Sequence, residues 1–211
     1  IYDRLKAAIL IMDLEPGALL SEAEIGQAVG ASRTPVRAAL ARLRDEGLID
    51  TRPSRGNFVT RLSPASIRAA HLIRNAVERA TVARLCAAPL RGGLAEKLER
   101  NLAASARALA AADGPEFRIH DDRFHLLLAE ATALPRIAGA LLREKTVLDR
   151  LRVLSLADTN HLRILQKDHE AIVAALLARD AEAANAALEL HLARVLTTLG
   201  ELERRNRDFF E

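Results

Sequence analysis

Four side chains in the second half of the chain have the types and spacing of a metal-ligand set. They are Asp121 and His125 in DDRFH, His169 in KDHEA and His191 in ELHLA. Asp and His at positions i and i+4 project from the same side of a helix, so both can reach one ion. Phe117, Phe124 and Leu128 mark an apolar stripe at helical spacing, with Asp121 at its centre and His125 on its edge. A carboxylate buried there must be paired or bound to a cation, because burying it alone is costly or forces protonation. His169 falls within the stripe Leu162, Leu165, Ile172 and Leu176, and His191 within Leu188, Val195 and Leu202. A tight turn at Asp180 joins those two helices, and each histidine is 11 residues from it. In an antiparallel helical hairpin each then lies about 16 Å from the turn, so the two face each other at one height. Three imidazoles and a carboxylate suit Zn²⁺, Ni²⁺, Mn²⁺ or Fe²⁺. Such a set either closes a tetrahedral structural site or leaves positions open on an octahedral ion for a ligand. The plain alternative is a polar core network with no ion.

Further candidates sit on an earlier helix. His71, Arg74 and Glu78 share a face with Ile67 and Leu85. An inward Arg74 near a metal suits a carboxylate ligand, and a simple ion pair with Glu78 is the alternative. His120 and His161 lie off the central stripes and read as surface residues.

The elements that must position these groups are helical. Half of the 211 residues are hydrophobic, aromatics make up 3%, and Trp is absent, a composition that favours helices over strands. From Ser63-Pro64 onward every segment reads as helix, over 64–87, 93–112, 115–131, 135–155, 159–178 and 181–205. The breaks fall at APLRGG, DGP, ALP, ADTN and ARDA. The expected fold is therefore mainly α: a small N-terminal domain over 1–62, then an all-α six-helix bundle over 63–211 that carries the metal-ligand candidates.

The first 62 residues follow a different pattern. Leu5, Ala8, Ile9 and Met12 fall at helical spacing, and EPG at 15–17 ends that helix. Ser21 and Glu24 form a capping box, Ser32 caps a third helix with Pro35 in its first turn, and Gly47 closes it. LIDT and NFVT read as strands joined by a hairpin tip at RPSRG. Three helices and a β-hairpin are the pattern of a winged helix-turn-helix. On the third helix Val36, Ala39, Leu40 and Leu43 make the packing stripe, while Arg33, Arg37 and Arg44 align on a second stripe. Arginines there can pair bidentately with guanine in the major groove. Thr34 can meet a phosphate or a thymine methyl, and Arg52 and Arg55 on the tip can reach the minor groove or the backbone. Charge agrees. Residues 1–30 hold Arg4 and Lys6 against five acids, whereas 31–61 hold seven arginines against Asp45, Glu46 and Asp50.

At these residues a family resemblance becomes visible. SRTPVRAALARLRDEGLI followed by RPSRGNFV is similar to the DNA-binding domain of the GntR family of bacterial transcription regulators. The resemblance implies that Arg33, Thr34 and Arg37, with the wing at Gly56, contact DNA. Ala23 stands where some members carry a base-contacting Arg. The D-x-x-F-H spacing, a His before Glu170 and another His 22 residues on resemble the FCD ligand-binding domain of the FadR-type subgroup, in its six-helix VanR-like branch. That resemblance implies that Asp121, His125, His169 and His191 bind a divalent metal, with a small carboxylate effector beside it. Arg74 and Glu78 match the family's R-x-x-x-E pattern, and Ala133-Leu134-Pro135 replaces a frequent Gly-Asn-Pro.

The expected protein is a repressor rather than an enzyme. It acts as a homodimer on a near-palindromic double-stranded DNA operator and responds to an organic acid bound at a Zn, Ni or Mn ion. A metal-dependent enzyme fused to a DNA-binding domain, or a purely structural metal, are the rival readings. The single Cys86 fits a reducing bacterial cytoplasm, and no apolar run is long enough for a membrane span. No secretory leader is visible, and Ile1 already lies inside a helical pattern, so a few residues are expected to precede it.

Overall fold

In the computed structural model, residues 1–90, 92–155 and 159–211 are described. Parts of the breaks expected at APLRGG and ADTN lie outside them. Contacts divide the chain into two units, Ile1–Ser66 with Glu201–Glu211, and Ile67–Gly200. Residues 201–211 therefore group with the first unit, although a boundary at 62/63 would put them with the bundle.

The first unit contains α1 (Tyr2–Leu10), β1 (Leu19–Leu20), α2 (Glu22–Val29), α3 (Arg33–Asp45), β2 (Ile49–Arg52) and β3 (Gly56–Val59). The three strands pair antiparallel in the order β1-β3-β2, with Leu19 opposite Phe58 and Ile49 opposite Val59. Strand β1 is an addition to the expected hairpin. Two residues carry no readable alternation, and Leu19 is exposed. Ile9, Leu20, Val36, Leu40, Leu43, Leu48, Ile49 and Val59 form one core.

Local chemistry explains the boundaries. Ser21 Oγ accepts the Glu24 N–H at 3.3 Å and starts α2. Gly30 ends it in the left-handed region at φ 64°. Ser32 occupies the N-cap position of α3, but its side chain makes no capping hydrogen bond, so the expected cap is only positional. The tail adds an unforeseen contact. After a 3₁₀ turn over Arg207–Phe209, the Leu62 N–H donates to Phe209 O at 2.7 Å and the Glu211 N–H to Leu62 O at 3.1 Å. Phe210 is buried beside this pairing.

Most of the second unit is helical. Helices α4 (Pro64–Cys86), α5 (Leu94–Ala110), α6 (Gly114–Ala131), α7 (Pro135–Ser155), α8 (Thr159–Ala178) and α9 (Ala181–Arg205) follow the expected spans within two residues. Val82, Leu98, Phe124, Leu128, Ile172, Leu176 and Leu188 are at the centre of its main core. A satellite cluster of Ala108, Phe117, Leu162 and Leu165 closes the other end of α6. Asp113 Oδ1 accepts the Glu116 N–H at 2.9 Å and caps α6, the helix that carries Asp121 and His125. Asp180 does the same for α9 through the Ala183 N–H at 2.9 Å. No described helix is long and apolar enough to cross a membrane.

Gly26 tests the tight turn between α2 and α3. A Cβ built there would lie 2.9 Å from the Ala31 carbonyl oxygen, which is backbone and cannot swing away. Helix propensity favours Ala over Gly by about 1 kcal/mol, but overpacking of this kind costs about 1–3 kcal/mol. Gly26→Ala should therefore lower stability to urea, and a stabilised variant would show that the turn relaxes freely.

Candidate functional site

The four expected ligands converge. Asp121 and His125 come from α6, His169 from α8 and His191 from α9, all buried, and one donor atom from each lies within 4.8 Å of the others. His125 Nε2 is 3.1 Å from His191 Nε2, and His169 Nε2 is 3.3 Å from the same atom. Asp121 Oδ1 lies 3.3 Å from His169 Nε2. It is buried and makes no hydrogen bond.

Surrounding groups determine which atom each ligand presents. His125 Nδ1 is 2.5 Å from Glu78 Oε2. Burial pushes the Glu78 carboxyl up, but Arg74 and His125 outweigh it and hold it at about 2. An ionised Glu78 can only accept, so the His125 proton sits on Nδ1 and Nε2 offers a lone pair. His191 Nδ1 is buried without a hydrogen-bond partner, 3.6 Å from Asp168 Oδ2. The His125 lone pair faces His191 Nε2 at 3.1 Å. Such spacings suit a shared ion: nitrogens about 2.1 Å from a single ion lie about 3.0 Å apart at a right angle and about 3.4 Å apart at the tetrahedral angle. The donor set therefore fits a divalent metal. Burial and the adjacent His191 keep His169 well below the usual imidazole range, so it presents a neutral ring. That ring stacks on Phe124 at 4.0 Å between centroids.

Asp121 is held from behind. Arg152 on α7 donates to Asp121 Oδ2, donates to Asp122 at 2.5 Å and lies 3.5 Å from Asp149. Burial raises the Asp121 carboxyl, but Arg152 and the histidines drive it far below the carboxylate range. Lys145 completes the cluster, at 2.5 Å from Asp149 and 3.1 Å from Asp122.

Beside the ligands is a cavity of about 40 Å³, lined among others by Arg74, Asp121, Arg152, His161, His191 and Arg194. That is room for a few waters or a small ligand. Arg74 thus lines the cavity, and it forms the ion pair with Glu78 at 2.5 Å that was the alternative reading of this arginine. Arg194 donates to Asp168 at 2.9 Å. His161 corrects the sequence reading. It is half-buried and lines the cavity rather than lying on the open surface. His120 is also half-buried, 3.1 Å from Glu116.

In the first unit Arg33, Thr34, Arg37 and Arg44 are exposed on α3, while Val36, Ala39, Leu40 and Leu43 are buried. Arg37 Nε donates to Glu22 at 2.8 Å, and Arg44 donates to Thr51 on β2 at 3.3 Å. Arg52 lies over the Phe58 ring at 4.6 Å, and Arg55 is exposed at the hairpin tip. Gly56 has φ 107°, and a Cβ there would meet Leu19 Cδ1 at 3.0 Å, so only glycine suits the wing. Arg42 turns away instead, over the Tyr2 ring at 3.7 Å.

Sequence reasoning missed Arg152 and Asp168 and saw Glu78 only as a partner of Arg74. Asp168 adjoins His169 in KDHE, the one local signal available. Glu78 and His125 are 47 residues apart, and Arg152 and Asp121 are 31 apart.

Arg152→Ala should cost about 3–5 kcal/mol, because it leaves buried carboxylates without their main counter-charge. Urea unfolding in the presence of a chelator measures this. A loss below about 1 kcal/mol would mean that Lys145 alone suffices.

Comparison with known proteins is consistent with this geometry. The family described as "Bacterial regulatory proteins, gntR family" matches residues 1–59, and the FCD domain matches residues 70–194. The HTH-type transcriptional repressor RspR of Escherichia coli (strain K12) is 32% identical over 210 residues, covering 100% of this chain and 92% of RspR. The HTH-type transcriptional repressor NanR of Cronobacter sakazakii is 30% identical over 221 residues, covering 90% of this chain and 79% of NanR. Among solved structures, E. coli McbR/YncC has a similar fold, with TM-score 0.78 at 21% identity and 95% coverage of both chains. A Rhodococcus sp. RHA1 structure described as a GntR transcriptional regulator aligns with TM-score 0.76 at 28% identity, covering 94% of this chain and 95% of that one.

Proposed function

Since the chain belongs to the GntR family of bacterial regulatory proteins and carries the FCD domain, we propose that it is a metal-dependent, acid-responsive repressor of transcription. The convergence of three imidazole Nε2 atoms and Asp121 Oδ1 beside a small arginine-lined cavity carries this reading. Asp121, His125, His169 and His191 hold a divalent ion, with Zn, Ni or Mn suited to the donors. When bound, the ion supplies positive charge and an open coordination position to a carboxylate. Arg74 at the cavity wall adds a planar pair of donors for the same ligand. Glu78 is already engaged by Arg74 and His125, and Asp168 by Arg194, which leaves neither free as a general base and favours sensing over hydrolysis.

DNA is read by the first unit. Arg33, Thr34, Arg37 and Arg44 enter the major groove, and Arg52, Arg55 and Gly56 approach the flanking backbone or minor groove. The protein works as a homodimer on a near-palindromic operator in the bacterial cytoplasm, two recognition helices lying about 34 Å apart. Exposed Leu72 and Ile73 on α4 and Leu190 on α9 offer an apolar face to the second copy, with Arg79 and Glu189 3.4 Å apart between the two helices. The effector changes operator affinity only through its preference for one arrangement of the dimer.

Elemental analysis of protein purified without a metal-affinity tag tests the site. About one divalent ion per chain is expected, lost in His169→Ala/His191→Ala; an ion-free wild type after incubation with Zn²⁺, Ni²⁺ and Mn²⁺ would defeat the metal reading. Operator titrations test the DNA face. Arg37→Ala should weaken specific binding by about 1–3 kcal/mol, and wild-type affinity should fall steeply with salt. Leu72→Asp/Leu190→Asp should convert the dimer to a monomer by light scattering, and an unchanged mass would place the interface elsewhere.

A further inference from the structure

Glu78 connects the ligand cavity to the metal ligands. Its Oε1 accepts from Arg74 Nε at 2.5 Å, and its Oε2 faces His125 Nδ1 at 2.5 Å. Only 2% of its surface is exposed, so both contacts act in a dry environment. Arg74 lines the cavity on one side of this chain, and His125 Nε2 joins the ligand cluster on the other. His71 lines the same cavity one helical turn before Arg74 and keeps its Nε2 buried without a hydrogen-bond partner. A polar ligand between His71 and Arg74 would give that atom a partner.

We infer that Glu78 makes anion binding and metal binding mutually reinforcing, a regulation that rests on the acid-at-metal reading above. While Arg74 holds Oε1, it withdraws charge from the carboxylate, and Glu78 is a weaker acceptor toward His125. A small monocarboxylate that takes up the Arg74 guanidinium releases that charge. Glu78 then accepts the Nδ1–H of His125 more strongly, and His125 Nε2 becomes a better donor to the ion. No proton changes owner, and the effect passes entirely through hydrogen-bond strength. Linkage requires the reverse as well: an ion on His125 polarises Nδ1–H toward Glu78, loosens Glu78 from Arg74 and frees the guanidinium for the anion. Glu78 is thus a positioning residue that acts through its two neighbours and touches neither ion nor ligand.

A double-mutant cycle on Zn²⁺ affinity, read by competition with a chromogenic chelator, tests the inference. Glu78→Gln should weaken Zn²⁺ binding by about 10–100-fold. Arg74→Gln should tighten it several-fold when Glu78 is present and leave it unchanged beside Glu78→Gln. Acetate, as the probe anion, should tighten Zn²⁺ binding in the wild type and lose most of that effect in Glu78→Gln. Equal tightening by Arg74→Gln on both backgrounds would reduce its role to direct repulsion between guanidinium and ion, and would overturn the coupling. If Glu78→Gln does not fold, Glu78→Asp replaces it, since the shorter carboxylate reaches one partner but not both. A wild type that binds no Zn²⁺ overturns both the coupling and the reading beneath it. A wild type that binds Zn²⁺ but ignores acetate sinks acetate-type sensing, while the Arg74 and Glu78 cycle still decides the metal half.

Discussion

Three imidazole Nε2 atoms and a carboxylate oxygen are held within hydrogen-bonding range of one another in dry protein. Keeping that polar cluster inside an apolar bundle is the constraint on which the second unit depends. Phe124 packs against the rings of His125 and His169 and has no polar atom to share with them. The outer nitrogen of His125 meets the Glu78 carboxylate, and Asp168 lies 3.6 Å from that of His191. Those carboxylates are themselves charge-matched by Arg74 and Arg194. Around the ligands, each of these polar groups is matched by the one behind it, and the network extends outward within an otherwise apolar core.

The inner ligands were legible because helical periodicity and a turn are local facts. Asp121 and His125 are one turn apart on one helix, and His169 and His191 mirror each other about Asp180, so spacing alone brought them to one height. The outer layer was not legible. Glu78 on α4 reaches His125 on α6, 47 residues on, and Arg152 reaches Asp121 from α7. Nothing in the local pattern of an i, i+4 Arg–Glu pair says that its second oxygen serves a histidine elsewhere. His161 shows a related limit. A helical wheel places it off the stripe, yet a cavity next to the ligands is lined by stripe edges as much as by stripe centres.

The first unit divides the same way. Ser21 and Gly30 mark the observed ends of α2, and Gly47 follows the end of α3. Ser32 makes no cap bond, and α1 stops at Leu10 rather than at EPG, with Met12, expected in the helix, in the left-handed region at φ 67°. Strand β1 did not announce itself, because Leu19 and Leu20 become a strand only when β3 pairs with them. Arg42 was one of seven equal arginines in the sequence, but its guanidinium stacks on Tyr2 of α1 while remaining exposed. The pairing of Leu62 with the tail depends on residues nearly 150 positions apart and has no sequence signature.

The arginines around the cavity are already neutralised: Arg74 by Glu78, Arg152 by Asp121 and Asp122, and Arg194 by Asp168. An anion entering this space would therefore exchange ion pairs rather than add them, and the guanidinium groups would contribute much less to its binding than free ones do. Because the exchange would take place among partly buried groups, ionic strength would do little to change its outcome.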